Sequence, residues 1–330
     1  MAYDGKLLRR AKTNLEKEQQ SHQRQLDSRR QEVYLRIPRI AQIDAQLRRT
    51  TPRIIADSFR QGVDPAPALA LLRQENLQLQ EERAALLATV GLPADYLEDA
   101  PLCPLCGDTG WQKSGALCDC LKRHYVRAQM EELSQLLDLG SQSFETFSLD
   151  LYSTETEPYG QGISPRDNMK RNFLRCRDYA RQFHRRSENL LLSGNPGLGK
   201  TFLSACIARQ VSEQGFSVVY DTAAHIFSLF EAQKFGREED GEDGVSRILR
   251  CDLLIMDDLG TEMTTAFVQS ALYHIVNERL LHGSATIINT NLPPNEIGRR
   301  YSPQILSRIL GEYTILPFFG DDIRKSRHSP

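Results

Sequence analysis

The stretch from Asn189 to Thr201 constrains the fold of this chain more than any other. It reads NLLLSGNPGLGKT, an apolar run followed by a glycine-rich turn and a Lys-Thr pair. The glycines allow backbone conformations that a side chain forbids, so consecutive N–H groups can turn inward toward phosphate oxygens. Apolar residues then recur at helical spacing from Phe202 to Gln214. A glycine turn between a strand and a helix, closed by Lys-Thr, predicts a phosphate-binding loop.

We expect this loop to bind the phosphates of a nucleoside triphosphate, ATP. Lys200 would reach the outer phosphates, and the hydroxyl of Thr201 would hold Mg²⁺. The positive end of the helix that begins near Gly199 would add to the attraction. The predicted nucleotide-binding residues are contiguous: Gly194, Asn195, Pro196, Gly197, Leu198, Gly199, Lys200, Thr201 and Phe202.

Apolar runs of strand length alternate with helical patterns from Asn189 onward. This alternation is typical of a parallel sheet, because parallel neighbours are joined by crossover helices. The predicted strands are 189–193, 217–221, 252–257, 285–290 and 313–317. The sequence therefore predicts an α/β core built on a five-stranded parallel sheet.

Two adjacent carboxylates end the third predicted strand, which reads LLIMDD. In phosphate-loop proteins the first of such a pair, here Asp257, orders the Mg²⁺ shell. The second, Asp258, orients or deprotonates the attacking water. The alternative is a buried strand with a solvated acidic end. The phosphate loop earlier in the chain favours the catalytic interpretation.

Polar residues also end the fourth predicted strand, which reads ATIINTN. Asn291 at its tip is placed to hold the nucleophilic water or the γ-phosphate, a role that Asn289 or Thr290 would take in another register. The alternative is an Asn that caps the chain before Pro293. Further on, Arg308 stands in an otherwise apolar helical pattern, where an Arg either caps its own helix or reaches a nucleotide on a neighbouring copy.

The N-terminal region, 1–100, is predicted to be helical. Residues 6–49 are rich in Gln, Arg and Glu, and a second helical pattern covers 66–89, with Pro52 and a Gly62–Pro67 cluster between them. The pair indicates a helical hairpin or arm. It either docks a partner protein or is a solvated helix pair that self-associates. The basic first helix also permits nucleic-acid contact, although it has few aromatic residues on which bases could stack.

Four cysteines follow within 101–122, as Cys103-x-x-Cys106 and Cys118-x-Cys120. Four thiolates in a reducing compartment suit tetrahedral Zn²⁺, and the first pair has the two-residue gap usual for such sites. The one-residue gap of the second pair is less common, and a metal-free cluster or a redox site are the alternatives. We predict a structural zinc knuckle over 101–139, in which His124 could replace one thiolate.

Residues 140–165 form a predicted linker whose aromatic and leucine side chains should pack on the domain that follows, 166–330. The composition, 40% hydrophobic and 25% charged with a net charge of −2, is that of a globular protein in water. The sequence has no apolar run long enough to span a membrane and no signal-peptide pattern, so we expect a cytoplasmic protein without membrane contact.

Taken together, these motifs resemble the AAA+ helicase loaders of the DnaC/DnaI type and their relative IstB, the ATPase helper of certain transposases. The segments that carry the resemblance are GNPGLGKT at 194–201, LLIMDDLGTE at 253–262, TIINTNL at 286–292 and YSPQILSRILGEYTILPFFGDDIR at 301–324. CPLCGDTGW and CDCLK are similar to the cysteine-bearing front end of the DnaI-like branch. The resemblance extends over nearly the whole chain.

The resemblance implies an AAA+ P-loop ATPase core without a full C-terminal lid, acting as a ring or open spiral. By this resemblance, Asn291 matches the residue called sensor 1, and Arg308 matches the arginine finger that completes the site of a neighbouring copy. Arg324 lies at the position expected for sensor 2. It also implies a hexameric replicative helicase bound by the N-terminal region, and single-stranded DNA bound by the ATPase module. The basic residues Arg166, Arg171 and Arg175 are candidates for DNA contact or a solvated helix face.

Two other functions remain open at this point. The first is an IstB-like transposition or phage-replication ATPase that acts on duplex DNA. The second is a nucleotide switch or scaffold that does not hydrolyse ATP and works through its helical arm.

Overall fold

The computed structural model describes residues 3–48, 66–137, 142–156, 162–236 and 239–326. The chain divides into two compact units. One is Thr13–Cys120, and the other combines Met1–Lys12 with Leu121–Pro330. The predicted domain limits at 100, 139 and 165 remain predictions. None of the helices in the described residues has the combination of length and hydropathy that crossing a bilayer requires.

The helices predicted at the N-terminus are present. Helix α1 covers Gly5–Arg36, α2 includes 38–48 and α3 covers Ala66–Thr89. Helix α1 ends just before Pro38, as expected from the constraint that proline places on the residue before it. Val33, Ile40, Leu87 and Leu97 form a small apolar core. The Pro52 and Gly62–Pro67 punctuation lies outside the described residues.

The larger unit contains the five predicted strands. Their bounds are β1 Asn189–Gly194, β2 Val218–Thr222, β3 Leu253–Leu259, β4 Ala285–Thr290 and β5 Tyr313–Phe318. They form one sheet in the order β2-β3-β4-β1-β5, and every neighbouring pair is parallel. The prediction of an α/β core with a five-stranded parallel sheet is confirmed.

Helices connect and flank these strands. Their bounds are α4 Asp119–Leu136, α5 Pro165–Arg181, α6 Lys200–Glu213, α7 Ala223–Phe235, α8 Glu239–Arg250, α9 Ala266–His282, α10 Pro294–Arg300, α11 Pro303–Glu312 and α12 Ile323–Ser326. Several begin at a Ser or Thr whose side chain accepts a hydrogen bond from a backbone N–H in the first turn, which stabilises the helix start. Ser164, Thr222, Thr265 and Ser302 are these caps.

Both faces of the sheet are buried, which explains why its strands read as continuous apolar runs rather than as alternating patterns. Leu190 and Leu192 pack with α5 and α6 on one face. Leu191, which points the other way, packs with α7, α8 and α9 on the opposite face. The resulting three-layer arrangement holds the carboxyl ends of the strands at one edge.

The predicted packing of the linker on the sheet domain is confirmed. Tyr152 is buried in the core on the α5–α6 side, and Phe144 and Phe147 pack against it. The ring of Phe147 stacks on Phe173 of α5, with 5.0 Å between centroids. The Tyr152 hydroxyl donates a hydrogen bond to the carbonyl oxygen of Leu198, at 3.2 Å. The linker therefore contacts the glycine-rich loop directly, through the hydrogen bond from Tyr152 to Leu198.

A fully buried arginine, Arg279 on α9, ties helix α8 to strand β4. Its guanidinium donates to the carbonyl oxygens of Ile248 (2.8 Å), Cys251 (3.1 Å) and Ala285 (2.6 Å). Its Nε donates to the hydroxyl of Thr286, at 2.9 Å. Two of these carbonyls lie at or just beyond the C-terminal end of α8, where the helix dipole favours a positive charge. Cys251, like Cys176 and Cys206, is buried, as predicted for the lone cysteines.

We expect Arg279→Met to lower the free energy of unfolding by roughly 2–4 kcal/mol, because it leaves several buried carbonyl oxygens without a donor. Urea denaturation followed by circular dichroism measures the change. Arg127→Met is the matched control, since the Arg127 side chain on α4 is 77% exposed and its ion pair with Glu131 is 3.5 Å long. A control as destabilised as Arg279→Met would contradict this account of the buried guanidinium.

Candidate nucleotide-binding site and cysteine cluster

The glycine-rich loop follows β1 and turns into α6 without a side-chain cap. Gly194, Gly197 and Gly199 all have positive φ angles, of 153°, 77° and 89°. A Cβ atom at Gly194 would lie 1.9 Å from the carbonyl oxygen of Phe318, and one at Gly197 would lie 1.9 Å from a carboxylate oxygen of Asp322. The backbone contact excludes any side chain at Gly194. At Gly197 the Asp322 carboxylate could move aside, but a φ of 77° is strained for any residue with a side chain, so glycine is favoured at both positions of the N–H cradle.

Lys200 is the first residue of α6, and its ammonium group folds back over the loop. It donates hydrogen bonds to the carbonyl oxygens of Gly194 (2.6 Å) and Asn195 (2.8 Å) and to Oδ1 of Asn291 (2.7 Å). Burial lowers the pKa of Lys200 to about 8, although the nearby carboxylates of Asp258 and Asp257 oppose the shift. The structure therefore brings together the loop lysine and the predicted Asn291 from distant parts of the sequence.

Asp257 is the fifth residue of β3 and is only 5% exposed. Four groups donate to its carboxylate. The Tyr220 hydroxyl reaches Oδ2 at 2.5 Å, and Nδ2 of Asn289 reaches Oδ1 at 2.9 Å. The backbone N–H of Asp258 and the hydroxyl of Thr201 approach Oδ1 at 3.0 and 3.5 Å. Asp257 thus lies beside Thr201, as expected of two residues that share one Mg²⁺ ion.

Asp258 has a left-handed backbone conformation, with φ of 55°, and its side chain is exposed. The β3–β4 register shifts between Met256 and Leu259, so Asp258 lies in an irregular part of the strand pairing. Although Asp258 is exposed, the loss of part of its hydration shell raises the pKa of its carboxyl group, and the charge of Asp257 adds to the shift. Such an environment makes a carboxylate a better proton acceptor.

The structure separates the three polar residues at the end of β4. Asn289 is buried and bonds to Asp257, and the Thr290 hydroxyl donates to the carbonyl oxygen of Leu259, at 2.6 Å. Asn291, the first residue after the strand, contacts Lys200. Sequence reasoning did not single out Tyr220 and Ser204. The only signal for them was a polar residue in each of two otherwise apolar segments.

Arg308 and Arg324 are both exposed. Arg308 lies on α11 between the buried residues Ile305 and Ile309. The charge of Arg324 acts to lower the pKa values of both Lys200 and Asp258, which places it within electrostatic reach of the loop. The adjacent Ile323 donates its backbone N–H to the carbonyl oxygen of Gly197, at 3.1 Å.

The residues at this edge of the sheet fit a nucleotide with Mg²⁺. The glycine loop leaves space that a Cβ atom would fill. The hydroxyl oxygen of Thr201 and the carboxylate of Asp257 lie next to it, and oxygen atoms are the ligands that Mg²⁺ prefers. Oδ1 of Asn289 is buried beside Asp257 without a hydrogen-bond donor in the described part of the chain. A metal-bound water is the kind of donor that such a position accepts.

The four predicted zinc ligands come together in the smaller unit. The Sγ atoms of Cys103, Cys106, Cys118 and Cys120 all lie within 4.8 Å of one another. The pairs Cys103–Cys118 and Cys106–Cys120 are 3.6 and 3.5 Å apart, close to the separation of about 3.8 Å for thiolates around one Zn²⁺. His124 is not in this group. Such spacing fits a metal and is too long for disulfides.

The turns of the knuckle hold the sulfur atoms in place. The Asp108 carboxylate accepts the backbone N–H groups of Cys103 (2.7 Å) and Leu102 (3.0 Å), and the N–H of Gly110 donates to Sγ of Cys106 at 3.4 Å. A single antiparallel bridge joins Trp111 and Leu117. N–H donors to sulfur stabilise a thiolate, so the loop is shaped for an anionic cluster.

The parallel sheet, its strand order and the loop–carboxylate arrangement define an AAA+ P-loop ATPase fold. Comparison with known proteins agrees: residues 174–329 match the family described as IstB-like ATP binding protein. The replicative helicase loader DnaC of Escherichia coli is 24% identical over 153 residues, which is 46% of this chain and 62% of DnaC. The uncharacterized protein YdaV of Escherichia coli is 28% identical over 121 residues, 37% of this chain and 48% of YdaV.

The replicative helicase loader DnaI of Bacillus subtilis is 22% identical over 133 residues, 39% of this chain and 42% of DnaI. Among solved structures, the DnaC helicase loader superimposes with a TM-score of 0.45 and 19% identity, over 55% of this chain and 99% of the DnaC chain. In the sequence comparisons, the aligned regions span less than two thirds of the length of YdaV, DnaC and DnaI. The resemblance to helicase loaders and insertion-sequence ATP-binding proteins is confirmed.

We expect Lys200→Ala to weaken ATP binding about 10- to 100-fold, because the charge-assisted hydrogen bonds from its ammonium group to phosphate oxygens are lost. Titration of a fluorescent ATP analogue in the presence of Mg²⁺ measures the affinity. Lys170→Ala on α5 is the control, since this lysine is exposed and belongs to a different helix. Equal affinities for the two variants would remove Lys200 from the binding site.

The cysteine cluster should bind one zinc ion per chain. Replacement of that ion by Co²⁺ should give the sulfur-to-metal absorption bands of a tetrahedral thiolate site. Cys103→Ser should abolish the bands, whereas Cys206→Ser should retain them, because Cys206 is buried in α6 outside the cluster. Metal analysis that finds no zinc in the purified protein, together with no Co²⁺ spectrum, would refute the assignment.

Proposed function

We propose that this protein is an ATP-hydrolysing loader of a replicative DNA helicase onto single-stranded DNA, and that it acts as an oligomer. ATP hydrolysis is supported by one observation: Lys200, Asp257 and Asn291 converge at the edge of the sheet where the carboxyl ends of the strands lie. The loading part rests on the relatives, two of which are named replicative helicase loaders. The family match covers 174–329, within the predicted ATPase domain, so the helicase partner is inferred from the names of the relatives.

In this proposal the chain binds ATP by exchanging contacts within the loop. Lys200 would leave the carbonyl oxygens of Gly194 and Asn195 for the outer phosphate oxygens, while the loop N–H groups bind the phosphates. Thr201 and Asp257 would hold Mg²⁺, which when bound neutralises charge on the phosphate oxygens. Asp258, with its raised pKa, orients the attacking water and accepts its proton. Asn291 holds that water or the γ-phosphate.

The proposed active site is completed by a second copy of the chain. Arg308 is exposed on α11, while Ile305 and Ile309 on the same helix are buried, so its side chain is presented outward. An arginine that stabilises the charge of the transferred phosphoryl group is worth a large factor in turnover. We infer that ATP sits between neighbouring copies, in a ring or open spiral, with Arg324 acting as a second cation from the same chain.

The N-terminal helices and the cysteine knuckle are the proposed contact region for the helicase. Their surface retains exposed apolar side chains, among them Leu77, Leu105 and Trp111. In the ATPase module, single-stranded DNA is the proposed second ligand.

A second function is favoured by a separate observation. The matched family is described as IstB-like ATP binding protein, and an insertion-sequence relative, the IS1162 putative ATP-binding protein of Pseudomonas fluorescens, is 28% identical over 125 residues. This supports a transposition or phage-replication ATPase that acts on duplex DNA. A switch that does not hydrolyse ATP is less well supported, because such a switch has no need of the carboxylate of Asp258.

The two DNA-related functions differ in partner. We expect the protein, with Zn²⁺ and ATP present, to retain the cognate replicative helicase in a pull-down assay. A variant with Leu77→Asp and Leu105→Asp, two exposed residues of the proposed contact region, should not retain the helicase. Lys200→Ala should retain the helicase to the same extent with and without ATP. ATP-dependent filaments on duplex DNA, with no association with the helicase, would favour the insertion-sequence function instead.

Arg308→Ala should leave ATP binding intact and reduce DNA-stimulated hydrolysis by about 10³-fold, the scale expected for an arginine finger. Mixing it with Lys200→Ala should restore part of the activity, because the second variant supplies Arg308 to a nucleotide bound by the first. Arg127→Ala on α4 is the control. Full activity of Arg308→Ala alone, or no recovery on mixing, would contradict completion of the site by a neighbouring copy.

A further inference from the structure

Asp257 belongs to a ring of four buried polar side chains, two of which, Ser204 and Tyr220, lie outside the motif segments. The other members are Ser204 on α6, Tyr220 on β2 and Asn289 on β4. Ser204 and Asn289 are fully buried, and Asp257 and Tyr220 are 5% and 6% exposed. Four elements of the domain therefore meet at one carboxylate, in a layer where most neighbouring side chains are apolar.

Hydrogen bonds connect the four side chains around the ring. Tyr220 donates to Oδ2 of Asp257 at 2.5 Å, and Nδ2 of Asn289 bridges Oδ1 of Asp257 and the hydroxyl of Ser204, at 2.9 and 2.8 Å. The Ser204 and Tyr220 hydroxyls lie 3.4 Å apart, and the ring closes when Ser204 donates its hydrogen to Tyr220, because the hydrogen of Tyr220 goes to Asp257. The same Ser204 hydrogen has a second acceptor in the carbonyl oxygen of Thr201, at 3.1 Å, in the first turn of α6.

The pattern of donors fixes the carboxylate in one orientation. Each oxygen of Asp257 receives at least one hydrogen bond from a different strand, so the carboxylate cannot rotate without breaking one of them. A buried anion is tolerated only when such donors compensate for its lost hydration. The contact with Thr201, at 3.5 Å, is at the limit of a hydrogen bond, so the Thr201 hydroxyl is the easiest of these donors to release.

We propose that Tyr220 and Asn289 are positioning residues for ATP hydrolysis, which hold both oxygens of Asp257 in the orientation needed before Mg²⁺ and nucleotide arrive. Neither residue touches the reacting atoms. Ser204 closes the ring and couples it to the helix that follows the phosphate loop. This inference rests on the ATPase function proposed above. It extends that function to Tyr220 and Ser204, outside the motif segments, and assigns a role to Asn289 that differs from that of Asn291.

The alternative is that the ring only stabilises the fold. The chain offers a matched comparison in Tyr179 on α5, which is also buried and donates its hydroxyl to one acceptor, the carbonyl oxygen of Glu188, at 3.1 Å. Glu188 directly precedes β1, at the end of that strand opposite the phosphate loop. Tyr179→Phe therefore removes a similar hydrogen bond without touching Asp257.

The experiment compares Tyr220→Phe with Tyr179→Phe and with the unchanged protein. Binding of a fluorescent ATP analogue is titrated against Mg²⁺, and then again in EDTA. For Tyr220→Phe we expect the Mg²⁺ concentration at half-maximal effect to rise about tenfold or more, with unchanged binding in EDTA. DNA-stimulated kcat should fall about 10- to 100-fold with little change in KM, as is typical when a residue that orients a metal ligand is removed.

Asn289→Ala tests Oδ1 of Asp257 independently, and it remains available if Tyr220→Phe folds poorly. We expect it to raise the Mg²⁺ concentration at half-maximal effect, as Tyr220→Phe does. Thermal unfolding without nucleotide confirms that each variant is folded. If the ring variants match Tyr179→Phe in Mg²⁺ dependence and kcat while the unchanged protein is active, the positioning role is overturned and the ATPase function stands. An unchanged protein that neither binds nor hydrolyses ATP would overturn both.

Discussion

Strand β4 lies between β1 and β3, and this parallel pairing is the constraint on which the site depends. Register pairs Leu191 with Ile288 on one side and Met256 with Ile288 on the other, so three carboxyl ends finish at the same level. The loop after β1, the carboxylates of β3 and the amide after β4 then meet without further adjustment. Apolar side chains on both faces fix this register, because a shift of one residue would turn each strand's side chains to the opposite face.

Much of this arrangement follows from the sequence. Short local patterns identified the glycine loop, the Lys-Thr pair and the double aspartate. All five strands were also predicted near their observed bounds. The four cysteines are also brought together as their spacing suggested. The packing of the aromatic linker on the sheet domain was predicted from composition alone, since apolar residues in a polar segment need a surface to cover.

Other features depend on contacts between distant segments and could not be predicted. Tyr220 and Ser204 are ordinary residues in their own segments, and their importance appears only when β2 and α6 place them against Asp257. The choice between Asn289 and Asn291 likewise depended on where β4 ends. The contact between Ile323 and the loop at Gly197, and the burial of Arg279 against helix α8, also have no counterpart in sequence pattern.

We propose that Mg²⁺ and ATP bind at the edge of the sheet where Lys200, Asp257 and Asn291 converge. The most direct measurement is a crystal structure of the protein with Mg²⁺ and a non-hydrolysable ATP analogue. We expect phosphates in the glycine loop, with Lys200 moved from the carbonyl oxygens of Gly194 and Asn195 to phosphate oxygens, and the metal beside Thr201 and Asp257. A nucleotide bound elsewhere, or a loop lysine that keeps its carbonyl contacts, would contradict this proposal.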